Sequence, residues 1–329
     1  MLKELKFVQG AVAKKEFIPA ITHFCIEGGS VRAYNGTIAL SSPIPCDLEC
    51  KPLAVPMVQA IGKCNDTITL SMTPTGRLSI KSGPFRALIP CCNEEVQAHV
   101  YPEGEEVQID GAQLITALKA VEPFIGVDAS RPWSTGVLLS GQSAYATNNV
   151  CLVEYWVGST FPRVVNLPRA AIKEMLRIGE APIGAQVSDH SISFHYADGK
   201  WLRSQLFSTD WPDMKRILDQ PSNPTPIPPE VFVGLDNLKP FVDKIGRVII
   251  RDGVMHTNED IGDGATFEHE WCKCPEEQAL EGVRNPGVYN IHMLMLLQGI
   301  ATAADFTRYP APAMFFGDRL RGALMGIRL

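Results

Sequence analysis

The side chains best suited to chemistry gather in a few places. The phrase HEWCKC sets His269, Cys272 and Cys274 close together, while CDLEC and CC add Cys46, Cys50, Cys91 and Cys92. Thiolate and imidazole are zinc ligands, and a structural zinc takes four, usually as two close pairs. No second C-x-x-C or H-x-x-x-H pair accompanies these residues, so buried or edge thiols are the better reading. A zinc-dependent enzyme built on the Cys and His residues of the C-terminal unit stands as the alternative. Carboxylates crowd NEDIGDGATFEHE, but the phrase lacks the alternating acids and closing glutamate of a calcium loop, and it reads as a turn. The chain has no G-x-x-x-x-G-K-[ST] to cradle phosphates, no G-x-G-x-x-G after a strand and no G-x-S-x-G nucleophile turn. The expectation is a protein without catalysis, cofactor or metal.

Positive charge is the remaining candidate. With 30 basic and 36 acidic side chains the net charge is -6, which argues against a protein that coats nucleic acid by bulk charge alone. A local basic face is still open. Arg169, Lys173 and Arg177 recur at i, i+4 and i+8 in LPRAAIKEMLRIG, so a helix there carries them as one stripe. Such a stripe is a phosphate track or simply a solvated face.

Those residues need elements to hold them. The linker DQPSNPTPIPPE (219–230) and the softer break YPEGEE (101–106) divide the chain, and nearly the same phrase follows each. EVQIDGAQLITALKAV and EVFVGLDNLKPFVDKI align at a constant offset that sets Glu106, Val107, Ile109 and Leu114 on Glu230, Val231, Val233 and Leu238. Each reads as a short strand leading into an amphipathic helix. Deeper in each segment, VPMVQAIGKC, LPRAAIKEMLRIG and VYNIHMLMLLQGIA read as a second helix, with Pro56 and Pro168 in the first turn.

A triplet of short strands follows each second helix: TITLSM, GRLSIK, FRALIP; then AQVS, SISFHY, WLRSQLF; then DFTRY, AMFF, RLRGALMGIRL. Gly83, Gly199 and Gly317 fall in the second turn of the three triplets. The pattern is an α+β chain of three copies of one unit, with GALMGIRL as the last strand. Alternation puts Met325, Ile327 and Leu329 on one side of it and Gly326 and Arg328 on the other. The start MLKELKFVQG has no apolar signal region, and IHMLMLLQGIA is far short of a membrane span, so a soluble cytoplasmic protein is expected. Nine cysteines in such a chain point to reduced thiols.

Three copies with two helices and a set of short strands each resemble the bacterial processivity clamp, the beta subunit of DNA polymerase III. The phrases RPWSTGVLL, AYATNNVCLVEYWV, VVNLPRAAIKEMLRI and FSTDWPDMKRIL are similar in order and spacing to that family's middle domain, and GIRL to its closing strand. The resemblance implies clamp-type domains at 1–104, 105–222 and 223–329, each with two helices packed on antiparallel sheet. It implies half of a six-domain ring, closed as a homodimer around double-stranded DNA without regard to sequence. The partners implied are DNA polymerase and a clamp loader. The chain is shorter than the usual bacterial member, as a phage or mobile-element version would be.

The resemblance also assigns residues. It sets the helix of Arg169, Lys173 and Arg177 at the ring's hole. Arg131 and Trp133 match a loop that touches DNA, with Trp133 in place of a tyrosine and Pro132 outside the pattern; considered alone, Trp133 also reads as a turn anchor. An apolar groove for client peptides is implied between the second and third domains. Its walls would be Thr147, Asn149, Val150, Cys151 and Leu152, with Ala323, Leu324, Met325, Gly326, Ile327, Arg328 and Leu329 from the closing strand. Asn149, Val150 and Cys151 replace a glycine, a histidine and an arginine common in the family, Gly326 replaces a proline, and Asp219 stands where a proline often sits. The floor is therefore more apolar than usual, and the client motif should differ accordingly.

Overall fold

The computed structural model describes residues 1–14, 18–94, 100–208, 210–251, 254–258, 263–270 and 287–328. The described chain is α+β and resolves into two compact units. The first holds Met1–Leu118, Leu139–Gln142 and Gly158–Ser208; the second holds Lys119–Leu138, Ser143–Val157 and Thr209–Leu329. Among the described residues no helix is long and apolar enough to cross a membrane.

In the first unit, β1 (Cys25–Glu27), β2 (Ser30–Tyr34) and β3 (Ile38–Pro43) form a meander. The strands β4 (Thr69–Met72), β5 (Leu78–Ser82) and β6 (Phe85–Ile89) form a separate antiparallel sheet. The edge strand β7 (Glu105–Val107) joins β10 (Gly184–Val187), β11 (Ser191–His195) and β12 (Trp201–Gln205). The pairing of β12 with β3, Leu202 opposite Leu40, fuses this group with the meander into seven strands. On β11, Ser191, Ile192, Ser193 and Phe194 are all buried, as in a central strand covered on both faces. The helices are α1 (Leu2–Val8), α2 (Ala54–Ile61), residues 111–118 of α3 (Gly111–Val121), and α4 (Arg169–Ile178).

The long strands β8 (Gly136–Thr147) and β9 (Cys151–Pro168) run through both units. In the second unit, residues 151–155 of β9 pair with β20 (Leu320–Leu324), which continues to β19 (Ala313–Gly317), β18 (Ala303–Asp305) and β13 (Thr225–Pro226). A four-stranded sheet holds β14 (Arg247–Arg251), β15 (Val254–His256), β16 (Thr266–Glu268) and β17 (Gly287–Asn290). Its helices are α5 (Lys215–Leu218), α6 (Pro229–Leu238) and α7 (Ile291–Met295). The Asn290 side chain caps α7 by accepting the His292 and Met293 amides.

The first two expected triplets appear as β4 to β6 and β10 to β12. In the third, AMFF and the start of RLRGALMGIRL appear as β19 and β20, but DFTRY is not the expected strand, because β18 shares only Asp305 with it and residues 307–310 form a turn. Gly83 and Gly199 sit at φ +54° and +72°, whereas at the third turn Arg319 takes the left-handed position, at φ +53°. Two further expectations change. EVFV is not a strand: α6 begins at Pro229, with Pro228 as its cap and Glu230 in its first turn. Proline at the first helical position loses no hydrogen bond, and the acidic side chain suits the helix dipole, so the end of the proline linker starts the helix. The closing strand stops at Leu324, opposite Cys151. Beyond it the Met325 amide donates to the Val150 carbonyl at 2.8 Å and the Ile327 amide to the Val288 carbonyl at 2.7 Å. The tail is tied down by two separate partners, so strand alternation does not apply to it.

Candidate functional site

The turn between β8 and β9 builds itself from its own polar side chains. Asn148 Oδ1 accepts the Val150 and Cys151 amides at 3.1 and 2.8 Å, and Thr147 Oγ1 donates to the Cys151 carbonyl at 2.8 Å. Asn149 lies at φ +70°, a left-handed conformation that asparagine and glycine adopt most readily. Its exchange with a glycine in the resembling family is conservative in backbone terms. The turn leaves Val150 exposed and Cys151 fully buried.

A groove of about 350 Å³ opens beside this turn. Thr147, Asn149, Val150, Cys151 and Leu152 line it, together with Ala323 and Met325. Leu324, Gly326, Ile327 and Arg328 are not among its lining residues, and Leu329 lies outside the described residues. Gly326 is hemmed in elsewhere: a Cβ built there would come within 2.7 Å of the Tyr309 ring, whose hydroxyl donates to the Ile327 carbonyl at 2.8 Å.

Part of the lining was not foreseen. Pro212, Asp213, Met214 and Ile217 come from α5 and the segment before it. Beneath them Leu138, Tyr145, Leu152 and Leu218 form an apolar cluster on which Trp211 and Met214 pack. The signal was present in WPDMKRIL, where Trp211, Met214 and Leu218 fall at i, i+3 and i+7. Arg131 and Trp133 line the groove as well. Trp133 meets Trp211 edge-on at 5.2 Å, so the ring has a packing partner in addition to its open side.

Around that cluster runs a polar network. Burial acts to raise the Glu154 carboxyl, but hydrogen bonds from Arg321, Tyr145 and Ser143 outweigh it and leave the group below the usual carboxylate range. Burial, with Glu154 as acceptor, pushes the Tyr145 phenol up to about 12. Burial also raises the Cys151 thiol, keeping it neutral in the groove floor.

The basic stripe lies in the first unit. Ala171, Ile172 and Met175 bury one side of α4, and Gly179 ends it at φ +70° with its amide on the Met175 carbonyl. Lys173 is exposed and Arg169 half-buried. Arg177 is partly committed. Its Nε reaches both oxygens of the buried Glu174 at 3.0 and 2.9 Å, and its Nη2 donates to the Phe7 carbonyl at 2.9 Å.

Comparison with known proteins gives one clear result. No protein-family model matches the chain, and no curated protein matches it. Among solved structures, the DNA polymerase sliding clamp of Pseudomonas aeruginosa superposes with a TM-score of 0.82 at 16% identity. The polymerase III beta subunit of Caulobacter crescentus gives 0.82 at 18%, and the Bacillus subtilis sliding clamp 0.79 at 14%. Each alignment covers 100% of this chain and 97% of the other. The chain has the sliding-clamp fold. These neighbours are bacterial clamps matched over nearly their whole length, so the comparison does not support a shortened phage or mobile-element version.

Among the described residues no three His, Cys, Asp or Glu side chains gather as a metal site, and Cys272 and Cys274 lie outside that set. The seven cysteines among the described residues, including Cys46, Cys50, Cys91 and Cys92, are free thiols.

Proposed function

We propose that the chain is a DNA sliding clamp, a non-enzymatic processivity factor of the cytoplasm. Two copies, each with clamp domains at 1–104, 105–222 and 223–329, close a ring on double-stranded DNA. The ring tethers the replicative DNA polymerase and other clients through the groove and is placed on DNA by a clamp loader. The observation that carries this reading is the match to clamp structures over 100% of the chain. The chain's own chemistry agrees with it. Residence comes from topology, so phosphate contacts need only be weak and indifferent to sequence. A few side chains, Lys173 and Arg169 with the exposed part of Arg177, serve that purpose in a chain of net charge -6. Arg131 and Trp133 stand both in the proposed DNA loop and along the groove, so DNA and client contacts meet there. The apolar lining from Val150, Leu152, Met214, Ile217 and Met325 suits apolar anchor side chains of a client segment.

The decisive experiment loads the protein onto nicked circular DNA with a clamp loader and then linearises the circle. A topologically linked ring slides off the linear form, whereas retention there refutes the reading. A monomeric mass at micromolar concentration counts against the homodimer. Griselimycin is bound in clamp structures from Pseudomonas aeruginosa and Bartonella birtlesii; if this chain takes it in the groove, Leu152→Ala should weaken its binding, and unchanged binding would place it elsewhere.

A further inference from the structure

Arg321 lies on β20 opposite Glu154 of β9. Its Nε donates to Glu154 Oε2 at 2.6 Å, and its Nη1 donates to Asp219 Oδ1 at 2.8 Å and to the Leu218 carbonyl at 3.3 Å. The other Glu154 oxygen accepts the Tyr145 hydroxyl at 2.8 Å. One guanidinium thus joins β9, β20 and the end of α5. Its planar fork is what allows this, since a lysine ammonium is a single point of charge.

The end of α5 needs such a hold. The helix has four residues, too few to be stable in isolation. Its closing hydrogen bonds are the Leu218 amide to the Met214 carbonyl at 3.0 Å and the Asp219 amide to the Lys215 carbonyl at 2.8 Å. Leu218 anchors it from below, in the cluster with Leu138, Tyr145 and Leu152. The Leu218 carbonyl, one of the acceptors a helix terminus leaves unmatched, is the atom that Arg321 reaches. Met214 and Ile217 of this same turn line the groove, while Arg321 does not.

We propose that Arg321 is a positioning residue for the α5 wall of the groove. By holding Asp219 and the Leu218 carbonyl against Glu154, it sets Met214 and Ile217 in place before a client arrives, which removes part of the ordering cost of binding. Its use rests on the groove being the client site, but its test does not.

Hydrogen exchange on the full-length protein reads the effect directly. Arg321→Ala should speed exchange of the Leu218 and Asp219 amides at least tenfold, while amides of β14, β15 and β17 keep their wild-type rates. Arg321→Lys, which keeps the charge beside Glu154 but loses the fork, should fall between the two. Asp219→Asn, which keeps an acceptor, should raise the rates less than Arg321→Ala. Unchanged rates at Leu218 and Asp219 overturn the proposal, as does a rise spread evenly over the second unit. If Arg321→Ala does not fold, the two milder variants decide by the same local comparison. No DNA or client enters this experiment, so its failure leaves the clamp reading intact. Failure of the chain to load on DNA would equally leave the exchange result standing.

Discussion

Arg177 and Lys173 share one helix face, yet alanine substitution should separate them into a residue that holds the fold and a residue that meets DNA. Glu174 is 7% exposed and rests against Gly10, where a built Cβ would lie 1.8 Å from Oε1, so the carboxylate has little room to move. Three hydrogen bonds from Arg177 satisfy it, the shortest being Nη2 to Oε1 at 2.5 Å, and a fourth ties α4 to the Phe7 carbonyl of α1. The Glu174 hydrogen bonds are the chief cause of the raised Arg177 pKa. Removing one partner of a fully buried pair costs about 3–5 kcal/mol. The Arg177 side chain is 45% exposed, so water screens the pair, and about 2 kcal/mol is the better figure. At about 2–4 °C per kcal/mol for a unit of this size, Arg177→Ala should lower Tm by about 4–8 °C. Glu174→Gln in the same chain should recover much of that loss, since it removes the stranded charge. Lys173→Ala, on the exposed side, should change stability by less than about 0.5 kcal/mol. It should also reduce the slope of log affinity for duplex DNA against log salt by about 0.9. Thermal melts and salt titrations on both variants measure all of this. An Arg177→Ala protein that melts within about 1 °C of wild type, or a Lys173→Ala protein that melts as low as Arg177→Ala, would refute the division of roles.

Three further outcomes follow from the second unit. The Glu154 carboxyl is held below its ordinary value of about 4.5, so its contribution is present above that value and disappears as the pH falls through it towards the depressed one. Urea midpoints of wild type should drop in that acid window, and Glu154→Gln should lower stability at neutral pH while flattening the drop; equal acid sensitivity in both proteins would exclude Glu154 as its source. Met325 is 40% exposed and its tie to Val150 is made by the backbone. Met325→Ala should therefore leave Tm unchanged and weaken polymerase stimulation by about fivefold, as expected for about 1 kcal/mol of apolar contact. Undiminished stimulation would remove Met325 from the client surface. A Cβ at position 322 would come within 2.2 Å of Phe315 Cζ and 2.6 Å of the Leu152 carbonyl, so Gly322→Ala should cost about 1–3 kcal/mol by overpacking. A urea melt superimposable on wild type would show that the sheet yields there.

The first two strand triplets were legible because their signals are local: β-rich runs separated by turn residues such as those at Gly83 and Gly199. The extent of the third repeat was not, since a constant offset paired the strand residues Glu106 and Val107 with Glu230 and Val231. Pro228 and Pro229 had already marked a helix start that the repeat alignment hid. The end of the closing strand was not legible either. Strand length depends on the partner, and β9 offers none beyond Cys151, so the tail's amides turn to Val150 and Val288 instead. The groove divides the same way. Its walls at 147–152 and at Ala323 and Met325 came from a family resemblance, while the α5 wall showed helical spacing in WPDMKRIL without any sign of the face it would cover. The basic stripe carries the sharpest limit on reading charge from sequence. Spacing of i, i+4 and i+8 fixes only the direction in which three cations point. Whether a cation is free to meet phosphate depends on its neighbours' burial, and Glu174, three residues before Arg177, is an ordinary surface acid until packing against Gly10 takes it out of water. Once buried, that carboxylate claims the Arg177 guanidinium, which spacing alone had counted as a cation for phosphate.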